Sequence, residues 1–423
     1  MKKMSFLTAL ILFVCITSIA NATDLKIFQE RRETLRQKMG TGVGLVFAGE
    51  EMEGERFAVN PDFCYLTGLD DEPGAILILA PAETKRKEVL LLKSRDPETE
   101  LWEGERLPIG EELRRKTGFE QVRRTGELGR WLNRLAENSR TLCLLSRPAS
   151  YTSPIPKDLS IFRDVQSRML GIQIKDCTRL ITEMRLIKTP AELALMEKAI
   201  QITENALEDV ITGVKSGLTE EQIQIRFENH CRADGAKYLA FPSIIATGHN
   251  STILHYTKND AEITNEDLLL MDVGAETEHY AADITRTIPV SGKFSARQKE
   301  IYSIVWEAQQ AALKKLKSGV TIDELYDTAR EVITKAGYKD YFMHGLSHFI
   351  GLEVHDVGFY DEPLRPGMVI SVEPGIYLPE EDIGVRIEDD VLITKNGYRM
   401  LTDGIPTQPD ELETFVQKLR TAR

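Results

Sequence analysis

The sequence is poor in cysteine, in long apolar runs and in net positive charge. Apart from Cys15 near the N-terminus, its cysteines are Cys64, Cys143, Cys177 and Cys231, and none forms a CxxC pair, which argues against a thiolate metal site. The sequence does not pair these four, and we expect most of them to be buried free thiols. The 66 acidic residues outnumber the 53 basic ones, which argues against binding to nucleic acid.

Residues 1–22 have the pattern of a secretory signal peptide. A basic start at Lys2 and Lys3 precedes an apolar run at 6–19, and the small residues Ala20 and Ala22 follow it. The run is shorter than the ~20 residues of a membrane span, so we expect cleavage rather than the alternative, an N-terminal anchor. Loss of two lysines shifts the net charge from −13 to −15. The mature chain is expected to be periplasmic or secreted, with no membrane attachment.

The segment 23–176 alternates strands and helices and is expected to be a small α/β domain. Apolar runs predict strands at 43–48, 75–80, 89–92 and 141–145, and a helix at 128–138. The segment has no histidine and no acids with metal-ligand spacing. Its glycine-rich stretch at 40–44 precedes a strand and opens no helix, so it is not a dinucleotide-binding fingerprint.

The segment 177–423 contains an internal repeat. The pattern KSGLT at 215–219 recurs as KSGVT at 317–321, an offset of 102 positions. Each copy opens a helix at a capping box, as Thr189–Glu192 and Ser295–Gln298 also do. The repeat is either a coincidence of two common helix–turn–helix signals or a duplication. A duplication predicts two halves joined in one curved sheet backed by helices, with a site where both halves contribute strand residues.

Four carboxylates lie on or at the ends of predicted buried strands. Asp272 and Asp283 flank a predicted hairpin, and Glu373 and Glu388 belong to two later strands. A buried ionised carboxylate is costly unless it is paired or binds a metal, and neighbouring carboxylates repel unless a cation separates them. For the hairpin, the alternative is that one aspartate pairs with Arg286 or caps a turn.

All seven histidines fall between positions 230 and 355, and three of them, His344, His348 and His355, lie within twelve residues. Their setting among glycines favours the wall of a site over a core face. Two divalent cations would balance four carboxylates, and mainly oxygen ligands favour Mn²⁺, Fe²⁺, Co²⁺ or Zn²⁺. The acids lie on predicted strands, whereas those of helical di-iron proteins lie on helices. We therefore expect metal-assisted hydrolysis.

These motifs resemble the pita-bread metallopeptidases, which include methionine aminopeptidases, Xaa-Pro aminopeptidases and prolidases. The resemblance is carried by ILHY at 253–256, MDVGAETEHYAADITRT at 271–287, MHGLSHFIGLEVHDVG at 343–358, VEPGIY at 372–377 and VRIEDD at 385–390. Residues 23–176, through YLTG at 65–68, resemble the N-terminal domain of Xaa-Pro aminopeptidases and prolidases, which methionine aminopeptidases generally lack. The resemblance implies an α+β fold: a pita-bread catalytic domain with a pseudo-twofold repeat at 177–423, preceded by the smaller α/β domain.

The resemblance also implies a two-metal site. The implied ligands are Asp272, Asp283, His348, Glu373 and Glu388, with Asp283 and Glu388 bridging two cations. Mn²⁺ is the first candidate, with Co²⁺, Zn²⁺ or Fe²⁺ as alternatives. Glu373 is implied as the proton shuttle for a metal-bridging hydroxide. The other implied catalytic or substrate-binding residues are His255, His344, His355, Tyr377 and Arg386.

The expected function is that of an exported aminopeptidase that cleaves the N-terminal Xaa-Pro bond of peptides with proline at the second position. The family implies a homodimer or homotetramer. An Xaa-Pro dipeptidase (prolidase) is the alternative, since Ser347 resembles aminopeptidase P whereas Phe349 resembles prolidases. A non-catalytic binding protein with the same fold is a second alternative. The sequence names neither the native metal nor the physiological peptide.

Overall fold

The computed structural model describes residues 25–51, 57–147 and 152–421, so the predicted signal peptide lies outside the described residues. The chain forms two compact units that divide between Met184 and Arg185. This division falls inside a helix, Arg179–Leu186, whereas the boundary predicted from the sequence, between residues 176 and 177, precedes that helix. Within the described ranges, no helix combines the length and the apolar character needed to cross a membrane.

The first unit is a six-stranded mixed sheet with helices. Its strands are β1 (Val43–Phe47), β2 (Ile76–Leu79), β3 (Glu88–Leu92), β4 (Val122–Arg124), β5 (Thr141–Leu144) and β6 (Gln173–Asp176), in the spatial order β4-β3-β2-β1-β5-β6. Its helices are α1 (residues 25–39), α2 (Pro61–Thr67), α3 (Pro97–Glu103), α4 (Glu111–Thr117), α5 (Leu128–Ser139) and α6 (Lys157–Arg168), and α7 (Arg179–Leu186) follows them. The four predicted strands and the predicted helix are confirmed, because their apolar runs fill one core.

The second unit combines long helices with short antiparallel sheets. Its helices are α8 (Pro190–Gly213), α9 (Glu220–Ala233), α10 (Ala296–Lys315), α11 (Ile322–Lys335) and α12 (Pro409–Thr421). Its strands are β7 (Tyr238–Leu239), β8 (Ile244–Thr247), β9 (Leu268–Val273), β10 (Ala275–Thr277), β11 (Tyr280–Ala281), β12 (Ile284–Pro289), β13 (Val369–Val372), β14 (Gly375–Leu378), β15 (Ile383–Arg386), β16 (Asp389–Ile393) and β17 (Tyr398–Met400).

The hydrogen bonds of the two repeat copies match, which supports duplication over coincidence. All four predicted capping boxes are present, at the starts of α8, α9, α10 and α11. After the first helix of each pair, the amide of Gly217 donates to the Ile263 carbonyl at 2.9 Å, and the amide of Gly319 donates to the Leu364 carbonyl at 2.8 Å. Both glycines have a positive φ, 87° and 93°, a conformation that glycine adopts without a steric penalty.

The two halves meet at a backbone hydrogen bond, and among the described residues their strands belong to separate sheets and not to the single curved sheet that the repeat predicted. The order β12-β9-β8 forms one sheet and β13-β16-β17 forms another. The predicted strand that carries Glu388 is interrupted, because β15 pairs with β14 whereas β16 pairs with β13. At the interruption, the amide of Glu388 donates to the Thr285 carbonyl at 3.1 Å and links the two halves.

Two of the four later cysteines are paired in the first unit. Cys143, on β5, and Cys177, just after β6, form a disulfide, whereas Cys64 and Cys231 are buried and take no part in it. The expectation that most of the four cysteines are free thiols is therefore wrong for Cys143 and Cys177. The sequence could not pair them because their proximity depends on the register of two adjacent parallel strands, in which Cys143 lies opposite Lys175.

Reduction of this disulfide is expected to lower the free energy of unfolding of the first unit by about 2–4 kcal/mol, because the bond closes a loop in the unfolded chain. The sequence separation of its cysteines is 34 residues. Urea unfolding followed with and without dithiothreitol measures the effect. The double variant Cys143→Ser/Cys177→Ser is the control, since the reductant should leave its unfolding midpoint unchanged. An equal response of wild type and variant would contradict the prediction.

Candidate metal centre

A cavity of about 590 Å³ in the second unit brings together nine of the ten predicted site residues. The residues that line it include Asp272, Asp283, His348, Glu373, Glu388, His255, His344, His355 and Arg386. The tenth, Tyr377, is fully buried and contacts this group from behind the wall. The first half of the unit contributes β9 and the β11–β12 connection, and the second half contributes β13, β15 and the loop that carries His348.

The tightest part of the site is a group of carboxylates around one imidazole. His348 Nε2 lies 3.4 Å from Asp283 Oδ2, 3.4 Å from Glu373 Oε1 and 3.8 Å from Glu388 Oε1. One ligand atom from each of Asp283, His348 and Glu388 can be chosen so that all lie within 4.8 Å of one another. This spacing allows a single cation to contact all three.

The hydrogen bonding of this group fits a metal ion. His348 Nδ1 donates to the Phe349 carbonyl oxygen at 3.2 Å, which leaves Nε2 as the ring nitrogen that faces the carboxylates and can bind a cation. Asp272 Oδ1 and Asp283 Oδ1 are buried without a hydrogen-bond partner. A buried, unpaired acceptor is costly, and a bound cation would remove that cost.

The positions of the two aspartates follow from the register of β9 and β12. Thr285 lies directly opposite Asp272, so Asp283, two residues before Thr285, projects toward the same face as Asp272. At Gly274, an added Cβ would meet the Ala282 carbonyl oxygen at 1.9 Å. Only glycine therefore permits the close approach that brings Asp283 to the site.

Asp272 pairs with Arg386 and not with Arg286, the partner that the alternative interpretation offered. Arg386 Nη2 donates to Asp272 Oδ2 at 2.6 Å, and Arg286 Nη2 donates to Asp389 Oδ1 at 2.7 Å. Asp272 thus offers one oxygen to the cavity and one to Arg386. The alternative interpretation is wrong for Arg286, which lies behind the site and donates to the Glu388 carbonyl at 2.6 Å.

Burial and mutual repulsion raise the pKa values of the central carboxyl groups. Burial, together with the charges of Glu388 and Asp272, raises the pKa of Asp283 well above its ordinary value. Burial and Glu388 do the same for the pKa of Glu373. Burial, with Asp272, raises the pKa of Glu388 to about 7. A divalent cation would reverse this effect, because it stabilises the ionised form of each group.

A relay of hydrogen bonds fixes the orientation of His344. Arg386 Nη1 donates to the Tyr377 hydroxyl at 2.9 Å, and that hydroxyl lies 2.8 Å from His344 Nε2. His344 Nδ1 lies 2.8 Å from the Gly345 carbonyl, so Nδ1 donates and Nε2 accepts from Tyr377. Burial and the Arg386 charge lower the pKa of His344 to about 4, so its ring is neutral near pH 7. Tyr377 therefore orients other site residues.

His255 and His355 are exposed at the cavity. The ring of His355 packs edge-on against that of His348 with centroids 4.3 Å apart. Burial and the neighbouring His348 lower the pKa of His355. The neutral imidazole can donate or accept a hydrogen bond, which suits contact with a peptide.

Sequence reasoning missed three supporting side chains. Thr285 Oγ1 donates to Glu388 Oε2 at 2.7 Å, Ser371 Oγ donates to Glu373 Oε1 at 3.3 Å, and Asp390 Oδ2 accepts from the Asp283 amide at 3.1 Å. Thr285 follows Asp283, Ser371 precedes Glu373 and Asp390 follows Glu388, each two positions away along the chain. This spacing was a usable signal, because side chains two apart on a strand share a face.

Comparison with known proteins gives concordant results. Residues 194–395 match metallopeptidase family M24, and residues 28–144 match the N-terminal domain of aminopeptidase P. The chain is 34% identical over 434 aligned positions to the Xaa-Pro aminopeptidase of Escherichia coli, an alignment that covers 93% of this chain and 98% of that one. The chain belongs to metallopeptidase family M24.

One solved structure and one further relative are also similar to this chain. A solved structure of Escherichia coli aminopeptidase P with the inhibitor Pro-Leu superposes with a TM-score of 0.83 at 32% identity, covering 94% of this chain and 99% of that one. The Xaa-Pro dipeptidase of Pyrococcus furiosus is 44% identical over 234 positions, which is 54% of this chain and 67% of the relative. The predicted fold, an aminopeptidase P-type N-terminal domain followed by a pita-bread catalytic domain, is confirmed.

Membership in family M24 makes the chain a hydrolase that binds divalent metal. This finding decides against the non-catalytic binding protein. The cluster of Asp283, His348 and Glu388 has the donor types and the spacing to hold such an ion.

Without metal, the family M24 chain is expected to lose stability as pH rises from about 4.5 to 7. The folded-state pKa of Glu388 is raised to about 7, and those of Asp283 and Glu373 are also raised, so in this window these carboxyl groups bind more protons in the folded state than in the unfolded state. Their contribution to stability therefore falls with pH and outweighs the opposite contribution of His344, whose pKa is lowered to about 4. Urea unfolding of EDTA-treated protein at pH 5 and pH 7.5 measures the difference. Glu388→Gln should lose less stability across the window, and a larger loss in that variant would contradict the prediction.

Proposed function

We propose that this chain is an Xaa-Pro aminopeptidase, which releases the residue preceding a proline at the second position of a peptide. One observation carries the proposal: the five predicted ligands and three predicted histidines line one cavity. The similarity to the Escherichia coli enzyme, which extends over both units, supports the same activity.

We further propose that two divalent cations, Mn²⁺ in the first instance, bind to Asp272, Asp283, His348, Glu373 and Glu388. Four carboxylates balance the charge of two such ions, and oxygen donors outnumber nitrogen. When bound, the cations supply an activated water and polarise the scissile carbonyl. Metal analysis after dialysis against Mn²⁺ should find two ions per chain, and a single ion would reject the paired centre.

The side chains of the cavity have separate tasks in this reaction. Glu373 can take a proton from water and return it to the leaving amine, because its carboxylate lines the cavity beside the other proposed ligands, within reach of a bound water. His255 and His355 contact the peptide at the open side of the cavity. Arg386 and Tyr377 hold Asp272 and His344 in place, as their hydrogen bonds indicate.

A second candidate function is that of an Xaa-Pro dipeptidase, which the 44% identity to the Pyrococcus furiosus enzyme favours. The Mn²⁺-loaded chain should be given Arg-Pro-Pro and Arg-Pro in parallel, with Arg-Ala-Ala as the control for proline specificity. Release of arginine from Arg-Pro-Pro supports the aminopeptidase. Cleavage of Arg-Pro alone supports the dipeptidase, and cleavage of neither rejects both.

We also propose that the chain is exported, to the periplasm or outside the cell, and assembles as a homodimer or homotetramer. The pattern of residues 1–22 supports export, and the Cys143–Cys177 disulfide suits an oxidising compartment. Mass spectrometry of the protein from fractionated cells should find a chain that starts at Thr23. A chain that still starts at Met1 would reject cleavage, and light scattering tests the assembly.

A further inference from the structure

The connection between β8 and β9 carries part of the cavity wall although it forms no strand. Its residues 248–262, here called the His255 loop, begin with a short 3-10 turn at Gly248–Thr252. Leu254, His255 and Thr257 of this loop line the cavity. Because His255 is exposed, its position depends on what holds the rest of the loop.

One buried carboxylate, that of Glu220, holds both ends of the His255 loop. Glu220 is the first residue of α9 and is fully buried. Its Oε1 accepts from the Thr247 amide at 2.7 Å and from the Thr247 hydroxyl at 3.0 Å. Its Oε2 accepts from the Ala261 amide at 2.9 Å. The two oxygens therefore join the residue before the loop to a residue near its end.

The same carboxylate also holds the middle of the loop. The Tyr256 hydroxyl lies 3.0 Å from Glu220 Oε2 and 3.0 Å from Asp260 Oδ1, so these two acceptors share its one proton. Asn250 Nδ2 lies 3.2 Å from each oxygen of Glu220. Tyr256 is buried and adjoins His255 in the chain. Fixing the Tyr256 side chain inside the protein therefore directs its neighbour His255 to the cavity side.

The charge and shape of the carboxylate matter for this arrangement. Two of the donors are backbone amides, which cannot turn into acceptors, and each of them contacts a different oxygen of Glu220. An ionised carboxylate is an acceptor only, whereas a glutamine amide would present N–H groups to one of these amides. The position of Glu220 at a helix N-terminus further favours a negative charge there.

We propose that Glu220 is a positioning residue for peptide hydrolysis, which acts by holding His255 against the substrate. The proposal rests on the proposed function, in which His255 contacts the peptide. Glu220 does not line the cavity and lies outside the predicted metal ligands. Its effect should therefore appear in catalysis and in the order of the loop, but not in metal content.

Glu220→Gln is expected to lower kcat/KM for Arg-Pro-Pro by about 10- to 100-fold, the range for a misplaced contact group, with unchanged Mn²⁺ content. In a His255→Ala background the same substitution should change kcat/KM less than about twofold, because coupled residues are not additive. Glu204→Gln is the matched control. Glu204 is also buried and accepts from the Gly404 amide at 2.7 Å, and this variant should stay within about twofold of wild type.

Hydrogen–deuterium exchange separates this proposal from the proposed function. Peptides covering 248–262 should exchange faster in Glu220→Gln than in wild type, and at the wild-type rate in Glu204→Gln. If wild type cleaves no Xaa-Pro bond, the proposed function fails while this measurement still tests the role of Glu220 in the loop. Additive losses in kcat/KM for Glu220→Gln and His255→Ala, or unchanged exchange in the loop, would overturn the proposal.

If Glu220→Gln does not fold, Tyr256→Phe provides the same test with a smaller perturbation. It removes the hydroxyl that contacts Glu220 Oε2 and that also contacts Asp260 and Asn250 within the loop. A loss in kcat/KM that disappears in the His255→Ala background supports the proposal, and an additive loss, or none, overturns it.

Discussion

Asp283→Asn is expected to lower kcat/KM for Arg-Pro-Pro by about 10³-fold or more and to lower Mn²⁺ affinity at the same time. The Asp283 carboxylate faces His348 Nε2 at 3.4 Å and has a buried oxygen without a hydrogen-bond partner. Asparagine removes one negative charge where a cation must be balanced. A metal contributes several kcal/mol to catalysis, and each 1.36 kcal/mol corresponds to a tenfold change in rate.

Steady-state kinetics at saturating Mn²⁺, together with metal analysis of the dialysed protein, check this expectation. Asp382→Asn is the matched control, because it makes the same change of charge at an exposed carboxylate that pairs with the exposed His249. The control should keep both metal and rate. Wild-type turnover in Asp283→Asn would refute the assignment of this residue as a ligand.

His355→Ala is expected to lower kcat/KM by about 10²- to 10⁴-fold, the range for loss of a positioned side chain that handles a proton or hydrogen bond in the reaction. His355 lines the cavity, but it is not part of the ligand cluster of Asp283, His348 and Glu388. Metal content should therefore remain at the wild-type level. Asp283→Asn therefore tests metal binding, whereas His355→Ala tests the interaction with the substrate.

His249→Ala is the matched control for His355→Ala, since His249 is exposed and its Nδ1 lies 3.2 Å from Asp382 Oδ1. It should retain wild-type kinetics. Loss of metal from His355→Ala would show that this residue holds the ion, directly or through His348, against which it packs. An unchanged kcat/KM in His355→Ala would show that this side chain takes no part in the reaction.

The elements that the sequence predicted correctly are those that form through interactions between residues close together in the chain. The capping boxes of α8 to α11 need only residues three positions apart. The strands of the first unit follow from apolar runs that a central sheet buries. The interruption between β15 and β16 escaped prediction, because period-two alternation continues through residues 387 and 388 while the two strands pair with different partners.

The four candidate carboxylates were found by a mismatch within the sequence, whereas the complete ligand set, with His348, was implied by the resemblance to the pita-bread metallopeptidases. A charged side chain on an otherwise apolar strand, as at Asp272 and Glu388, requires a partner in the folded protein. The pattern along the strand did not identify that partner. Arg386 pairs with Asp272 although 114 positions separate them, whereas the partner considered from the sequence was Arg286.

The amino-acid sequence alone determined the residue types of the centre, the order of its motifs and the two-part organisation of the chain, because helix starts, apolar periodicity and misplaced charges are local properties. Only the tertiary structure decided that Tyr377 supports His344 from behind the wall, that Cys143 joins Cys177, and that Glu220 holds the His255 loop. These contacts join residues far apart in the chain. Their distances depend on how strands pair and helices pack, which no local pattern specifies.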